Sequence, residues 1–452
     1  MTALNHRLYI FAFVALMVGC LGENRLIGSP GAGDGDTDTD TDTDSDTDTD
    51  ADTDRDGGSD LTGTLESLRY LWLADWSSGT LSKIDTKDAR EVARYLAGPD
   101  GYFMDSWSTS VNPEGDVVAV NRLCSDTFPS HTYSDSSALE GNGRSSVTKF
   151  AADKERCIDK NHNGVKDTST GPNDVLAWEQ DECMLWHTEL DTEKNQICAG
   201  AIAWSHKNHV WVGTYEPARV YLLDGSDGSI LNSASLPFGA WAGAIDSDGS
   251  FWIIDYPGNV DSNQVSEEGD HLMKVTSDLD ITTFDLPNLL TGPCNHSIAV
   301  EPGDRIWIGG SGGICWLDPG VNKVETYIFE NWILNGFKGA AVGLQNTDSN
   351  GHLWLVRKDG ELARVLLKIN PGSLSMYQET IAAPVPAGVG IDNEGYIWVI
   401  VNRNEFSEDD TAYKINPTTF GIVNQITLTN SHRVVGDMTG TQLWNVTQSG
   451  SQ

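Results

Sequence analysis

The sequence predicts an all-β chain: a seven-bladed β-propeller, with eight blades as the alternative, carrying a disulfide-rich insertion and a disordered acidic N-terminal tether. Three observations predict it. A short phrase recurs from residue 68 onward, in which an apolar segment leads to a turn rich in Asp, Asn and Gly and then to an apolar strand usually centred on Trp. The recurrence has a nearly constant spacing. The apolar strands are each only about five residues long, which suits four short strands per unit.

The anchors of that phrase are Trp72, Val118, Trp211, Trp252, Trp307, Trp354, Trp398 and Trp444, separated by 46, 93, 41, 55, 47, 44 and 46 residues. In the unit 240–286, "AWAGAI" reads as a first strand, "DSDG" as a hairpin turn, "FWIID" as the second strand, "HLMKV" as the third and "ITTFDL" as the fourth. Related turns are "NPEG", "DSNG" and "DNEG", where Gly supplies the positive φ that tight turns require. One large aromatic per blade would fill the wedge between neighbours. First-strand candidates begin near 107, 200, 240, 296, 340, 387 and 433, which gives seven. The last unit holds only "RVVGD" and "LWNVT". The ring closes if "RVVGD" completes the N-terminal blade and so removes free edges.

The 93-residue step contains an insertion, 157–198, preceded by "SSVTKF" as a third strand. Within it, "DKNHNGVKD" places Asp159, Asn161, Asn163, Val165 and Asp167 at alternate positions around Gly164, the pattern of a Ca²⁺ loop built from oxygen ligands. Position 12 of that pattern is Thr170 rather than a bidentate Glu. A disulfide-pinned Asn-Gly loop is the alternative reading.

Ahead of the repeat stand two segments that do not belong to the fold. Residues 1–20 combine one arginine, an apolar stretch from Leu8 to Val18 and a terminal Gly19-Cys20. They read as a lipoprotein signal peptide with Cys20 as the lipidated residue, although Leu16 sits one place earlier than a lipobox has it. Leu21 after the cysteine points to a bacterial outer-membrane lipoprotein, facing the periplasm or the cell surface, held to the membrane by lipid alone. Residues 21–62 form a linker in which every even position from Asp34 to Asp56 is Asp. That run repels itself and has nothing to bury. The propeller then occupies 63–452.

The formal charge is −37, of which residues 1–58 contribute −10, leaving −27 on the remainder. Such a balance excludes nucleic acid as a partner, because it repels phosphates. A monomer is expected, with a small molecule, glycan or protein as ligand. Beyond Cys20 there are six cysteines, at 124, 157, 183, 198, 294 and 315. In an exported chain they suggest three disulfides, and Cys294 with Cys315 is the pair expected, since both fall in one repeat. No Cys-x-x-Cys spacing points to zinc.

Counting back eight residues from the turn glycine gives a variable column: Trp107, Gly200, Trp241, His296 and Ala387, with Gly343 or Ala340 and then Arg433 in the remaining blades. First strands line the channel of a propeller, so Trp107, Trp241, His296 and Arg433 are the candidate ligand-binding residues at one mouth. A second column three residues after each anchor contains Asp75, Asn121, Thr214, Asp255, Gly310, Arg357, Val401 and Thr447. If the protein is an enzyme, His296 would be the base and Asp255 its ligand or orienting partner.

The phrases "AGAIDSDGSFWIID", "HSIAVEPGDRIWIGG" and "AGVGIDNEGYIWVIV" resemble the streptogramin B (virginiamycin B) lyase family of seven-bladed propellers, in a pattern shared with NHL-type propellers. The resemblance covers most of 68–447 outside the insertion. It implies a Mg²⁺-dependent elimination that opens a cyclic depsipeptide, with histidines at the start of first strands and a glutamate nearby. His296 stands at such a histidine position. The next blade lacks a matching histidine, and the expected glutamate is replaced by Gly310 in this blade and Arg357 in the next. A ligand-binding or interaction module at the cell envelope is therefore the leading expectation, and a metal-dependent lyase or hydrolase the alternative.

Overall fold

In the computed structural model, the described residues are 63–99, 105–122, 145–190, 198–255, 271–287, 294, 296–310, 313–318, 321, 323–328, 337–342, 351–359, 363–380, 385–402, 409–434 and 436–449. The signal peptide with Cys20, the linker 21–62 and Cys124 lie outside them.

Seven antiparallel sheets follow one another along the chain. Blade 4 shows the plan, with strands Ala240–Ile245, Phe251–Asp255, His271–Val275 and Ile281–Asp285 in sequential order from the channel outward. The first strand of each blade packs against those of its neighbours, and the contacts run unbroken around the ring. The seven-blade expectation holds, and the anchors explain it. Trp72, Trp211, Trp252, Trp307, Trp354 and Trp398 are all essentially inaccessible to solvent. Each supplies the bulk that a wedge between two twisted sheets needs.

The turn residues do more than turn. In blade 7 the Asp392 carboxylate accepts backbone N–H groups of Glu394 and Tyr396 through Oδ1, closing the hairpin before Ile397–Asn402. Its Oδ2 accepts the Trp398 indole N–H at 2.9 Å and lies 3.0 Å from Lys414 Nζ on the third strand. Blade 4 repeats this with Asp246, Trp252 at 2.8 Å and Lys274 at 2.9 Å. In both blades the lysine faces the tryptophan across the strand pair. Blade 2 varies it: Asp116 takes the lysine, Lys149, at 3.6 Å. Blade 5 substitutes Glu301, which accepts the Trp307 indole at 2.9 Å, and Arg305 at 3.4 Å. In blades 2 and 7 both partners are buried, tolerable because each is paired and hydrogen-bonded, while Lys274, Glu301 and Arg305 are half-buried. Burial pushes the Asp392 and Asp116 carboxyls upward against the pull of their lysines.

Closure happens as expected and then goes further. His432–Arg433 pairs with Tyr70–Asp75 as the innermost strand of blade 1. Gly436–Asp437 then runs parallel beside Thr109 and Ser110 of blade 2, giving that blade a fifth strand. The C-terminal segment thus straps two blades together. A polar seam supports it: His432 is fully buried, its Nε2 lies 3.2 Å from Ser82 Oγ, and its Nδ1 is 3.6 Å from Asp410 Oδ2.

The phrase "LWNVT" is not a strand. Residues Thr441–Ser449 form a helix. Blade 1 already has its inner strand, so no edge remains for the phrase to pair with. Asp437 instead accepts the backbone N–H groups of Thr439, Gly440, Gln442 and Leu443, which starts a helix in the manner of a cap. Leu443 and Val446, three residues apart, are both buried, a spacing that puts them on one face of a helix but on opposite faces of a strand. The helix packs against the first strands of blades 5 and 6.

Strand direction defines two mouths. First strands begin, second strands end, third strands begin and fourth strands end at what we call the upper mouth. The hairpin turns lie at the lower one. The C-terminal helix starts at the lower mouth, where Thr441 bonds the Ile391 carbonyl and Gly440 sits beside Leu68 and Val111. The chain also enters there, with Gly63 against Pro113 and Ser67 against Gly115. The insertion leaves from the same side, between the third strand of blade 2, Ser146–Phe150, and its fourth, Met184–Glu189.

Lys83, buried between Tyr70, Trp72 and the Ala152 carbonyl, has its ammonium pushed down from 10.5 to about 8, chiefly by burial. Between those values the unfolded chain binds a proton that the folded chain has released, so stability rises as pH rises through this window. Urea unfolding of Lys83→Met at pH 7.5, 9 and 10 is expected to lack that rise, which the native chain shows.

Candidate functional site

The variable column coincides with a repeated irregularity of the first strands. Register shifts bracket Trp107 in blade 2, Gly200 in blade 3, Trp241 in blade 4 and Ala387 in blade 7. Each is a β-bulge at the upper mouth, a device that re-aims one side chain out of the sheet alternation. In blade 6 the bulge falls on Lys338 and not on Ala340, and Gly343 lies outside the described residues. The turn of that blade is longer, so counting back from its glycine lands too far along. His296 occupies the corresponding place in blade 5, where its backbone N–H donates to the Gly309 carbonyl at 2.9 Å.

Two of the four expected ligand-binding residues come together. Trp107 and Trp241 meet edge to face with centroids 5.3 Å apart, although blade 3 separates them. Gly200 makes this possible: a Cβ there would stand 2.8 Å from the Ala240 carbonyl oxygen and 2.9 Å from that of Trp241. Tyr215 extends the cluster, 6.4 Å from Trp241. Arg122 covers the Trp107 ring at 3.3 Å and reaches the Tyr215 hydroxyl at 3.5 Å. Trp107 itself is only 2% exposed, so it backs the cluster while Trp241 and Tyr215 present partly open faces. Arg122 and Tyr215 stand near the upper ends of the second strands of blades 2 and 3, beyond the repeated phrase, and so carry no signal in the sequence.

His296 is half-buried at the same mouth. The segment preceding it is anchored by the disulfide Cys294–Cys315, the pair expected, which ties it to the third strand of blade 5. A second disulfide, Cys157–Cys183, closes the base of the insertion, and Cys198 is also disulfide-bonded. Arg433 contributes its backbone to blade 1, paired with Ala74.

The second column makes hydrogen bonds within its blades and to the connections beside them. Asp75 accepts from Ser77 and Ser78, Asn121 donates to the Ala97 carbonyl at 2.6 Å, and Thr214 donates to the Pro217 carbonyl at 2.5 Å. Thr447 falls in the helix instead. Asp255 follows the pattern: the imidazole set against it is His271, at the start of the third strand of blade 4, with Nδ1 3.0 Å from Oδ2. Mg²⁺ takes an oxygen-rich set of ligands. Positions 310 and 357 carry Gly and Arg, and among the described residues no group of three or more His, Cys, Asp or Glu converges.

In the insertion loop, the Asp159 carboxylate accepts the N–H groups of Asn163 and Gly164, with Gly164 at φ +82. Asn161 and Asn163 both donate to Asp167 Oδ2. Glu182, buried at the base of the insertion, accepts from the backbones of Lys160, Asn161 and Asp167 and fixes the loop from behind. The Val165 N–H donates to the Asn163 side chain.

Comparison with known proteins agrees with this architecture. The chain has a seven-bladed β-propeller fold. No family model matches it, and no curated protein does. The periplasmic gluconolactonase PpgL of Pseudomonas aeruginosa is similar at 12% identity over 80% of this chain and 97% of that one, with TM-score 0.51. A streptogramin B lyase structure is similar at 13% identity, covering 73% of this chain and 86% of that one, TM-score 0.47. A catalytically inactive virginiamycin B lyase from Staphylococcus aureus with quinupristin is similar at 18% identity over 54% and 74%, TM-score 0.42. At these identities the likeness establishes the fold alone.

Replacing Cys294 and Cys315 together by Ser is expected to cost about 3 kcal/mol, the chain-entropy value for a loop of this length. Urea unfolding of the oxidised native chain and the double variant, both without reductant, checks the figure.

Proposed function

We propose that this protein is an exported, lipid-anchored β-propeller that binds a ligand at its upper mouth at the bacterial cell envelope. The observation that carries the reading is the meeting of Trp107 and Trp241 across blade 3, with Tyr215 and Arg122 completing a wall of aromatic and cationic character. Partly open aromatic faces beside a few fixed polar groups are what small-molecule and glycan sites are made of. We place the anchor on Cys20 in the outer membrane.

The test is a screen of glycans and short peptides by tryptophan fluorescence on the native chain and Trp241→Ala. Saturable quenching that weakens at least tenfold in the variant is expected. Saturable binding indifferent to Trp241→Ala would place the ligand elsewhere and refute the reading.

The alternative, a metal-dependent lyase or hydrolase, draws on His296 at the bulge position of blade 5. Incubation with quinupristin and Mg²⁺, followed by mass spectrometry, is expected to leave the ring closed. Mg²⁺-dependent opening that His296→Ala abolishes would establish the lyase instead.

For the insertion we propose a structural Ca²⁺ held by Asp159, Asn161, Asn163, the Val165 carbonyl and Asp167, once the two asparagine amides turn their oxygens inward. Ca²⁺ at 1 mM should raise the thermal midpoint of the native chain and not that of Asp159→Ala. Equal midpoints in both would reject the ion.

A further inference from the structure

Blade 4 carries a second polar arrangement at the upper mouth that the repeat does not require. His271 opens the third strand, and Asp255 ends the second. The Asp255 carboxylate is nearly inaccessible, while the His271 side chain keeps 20% of its surface exposed. With Nδ1 3.0 Å from Asp255 Oδ2, the neutral imidazole carries its proton on Nδ1, which leaves the lone pair on Nε2. Phe238 lies flat against the ring, centroids 3.7 Å apart and planes within 8°, so the imidazole cannot swing. On its other side Nε2 lies 3.8 Å from the exposed carboxylate of Asp285. A buried carboxylate, a held imidazole and a lone pair on the opposite nitrogen of a partly exposed ring are the components that orient a base in hydrolytic sites.

His432 shows what this differs from. It has Asp410 on one nitrogen and Ser82 on the other, yet all three residues are fully buried in the closure seam. No substrate reaches them, so that set is a fastening.

We propose that His271 and Asp255 form a general-base dyad giving the upper mouth a hydrolytic activity toward acyl esters. The inference rests on this geometry and not on the ligand reading above. As a water oxygen bonds to the acyl carbon, Nε2 takes its proton and the carbonyl electron pair moves onto oxygen. The pair returns, the bond to the alkoxide breaks, and the alkoxide recovers the proton from Nε2. Acid and alcohol leave, and His271 is regenerated. Asp255 is a positioning residue: it keeps the Nδ1 proton in place and favours the transient imidazolium.

The test follows 4-nitrophenolate release from 4-nitrophenyl acetate by the full chain. Release proportional to protein concentration is expected, at least tenfold lower in His271→Gln, with Asp255→Asn lowering the rate and displacing its pH profile. Labelling with diethyl pyrocarbonate, mapped by mass spectrometry, gives a reading on the native chain that folding defects cannot disturb. His271 should be acylated before His162 of the lower face. Release unchanged by His271→Gln in a folded variant, or acylation of His271 no faster than that of His162, would overturn the proposal.

Discussion

A carboxylate buried at the lower end of a blade cannot stand alone, and the blades are built around that constraint. Asp392 must keep Trp398 and Lys414 within hydrogen-bonding reach, as Asp246 must keep Trp252 and Lys274. The three groups come from a turn, a second strand and a third strand. Satisfying the charge therefore sets the hairpin, the strand register and the orientation of the wedge-filling indole at once. A one-residue slip in either strand would strand a charge in the interior, at a cost of several kcal/mol. The indole gains more than volume, since the ammonium also sits over its ring, at 5.2 Å for Lys274 on Trp252.

What the blades fix at their lower ends, they leave open at their upper ones. First strands there carry bulges, and the side chain on each bulge is free to differ between blades: Trp, Gly, Trp and Ala in four of them. The strapping C-terminal segment works to the same effect. By pairing with two blades and then turning into a helix at the lower mouth, it closes the ring and occupies that side. Chemical variety is thus collected at the upper ends of the blades, where the aromatic wall and the His271–Asp255 pair both lie.

Much of this was legible in the sequence, for a physical reason. Trp anchors and Asp-Gly turns recur because every blade solves the same packing problem, so repetition exposes the blade plan, the closure by "RVVGD" and the placement of Trp107 and Trp241. The lysine column was not seen. Lys83, Lys149, Lys274, Lys368 and Lys414 look like ordinary solvent-facing residues mid-strand, and only the fold shows that most of them are buried partners of a turn carboxylate or an indole. "LWNVT" matched the anchor phrase so closely that nothing local betrayed the helix; what decides it is that blade 1 already has its inner strand. Asp255 was matched with His296 by counting between blades. The imidazole of His271, which no count singles out, also stands against Asp255 from 16 residues on in the same blade, across a connection whose length no repeat dictates.

The most direct measurement of the central interaction is a double-mutant cycle on blade 7, with Asp392→Asn, Lys414→Met and both together, by urea unfolding. Each single change removes the opposite charge from a buried group that keeps its other hydrogen bonds, and should cost about 1.5 to 3 kcal/mol. If the carboxylate and ammonium hold the blade jointly, the double variant should lose less than the sum by at least about 1 kcal/mol. Additive losses would mean that the two residues act independently, and the account of how these blades are fixed would fail.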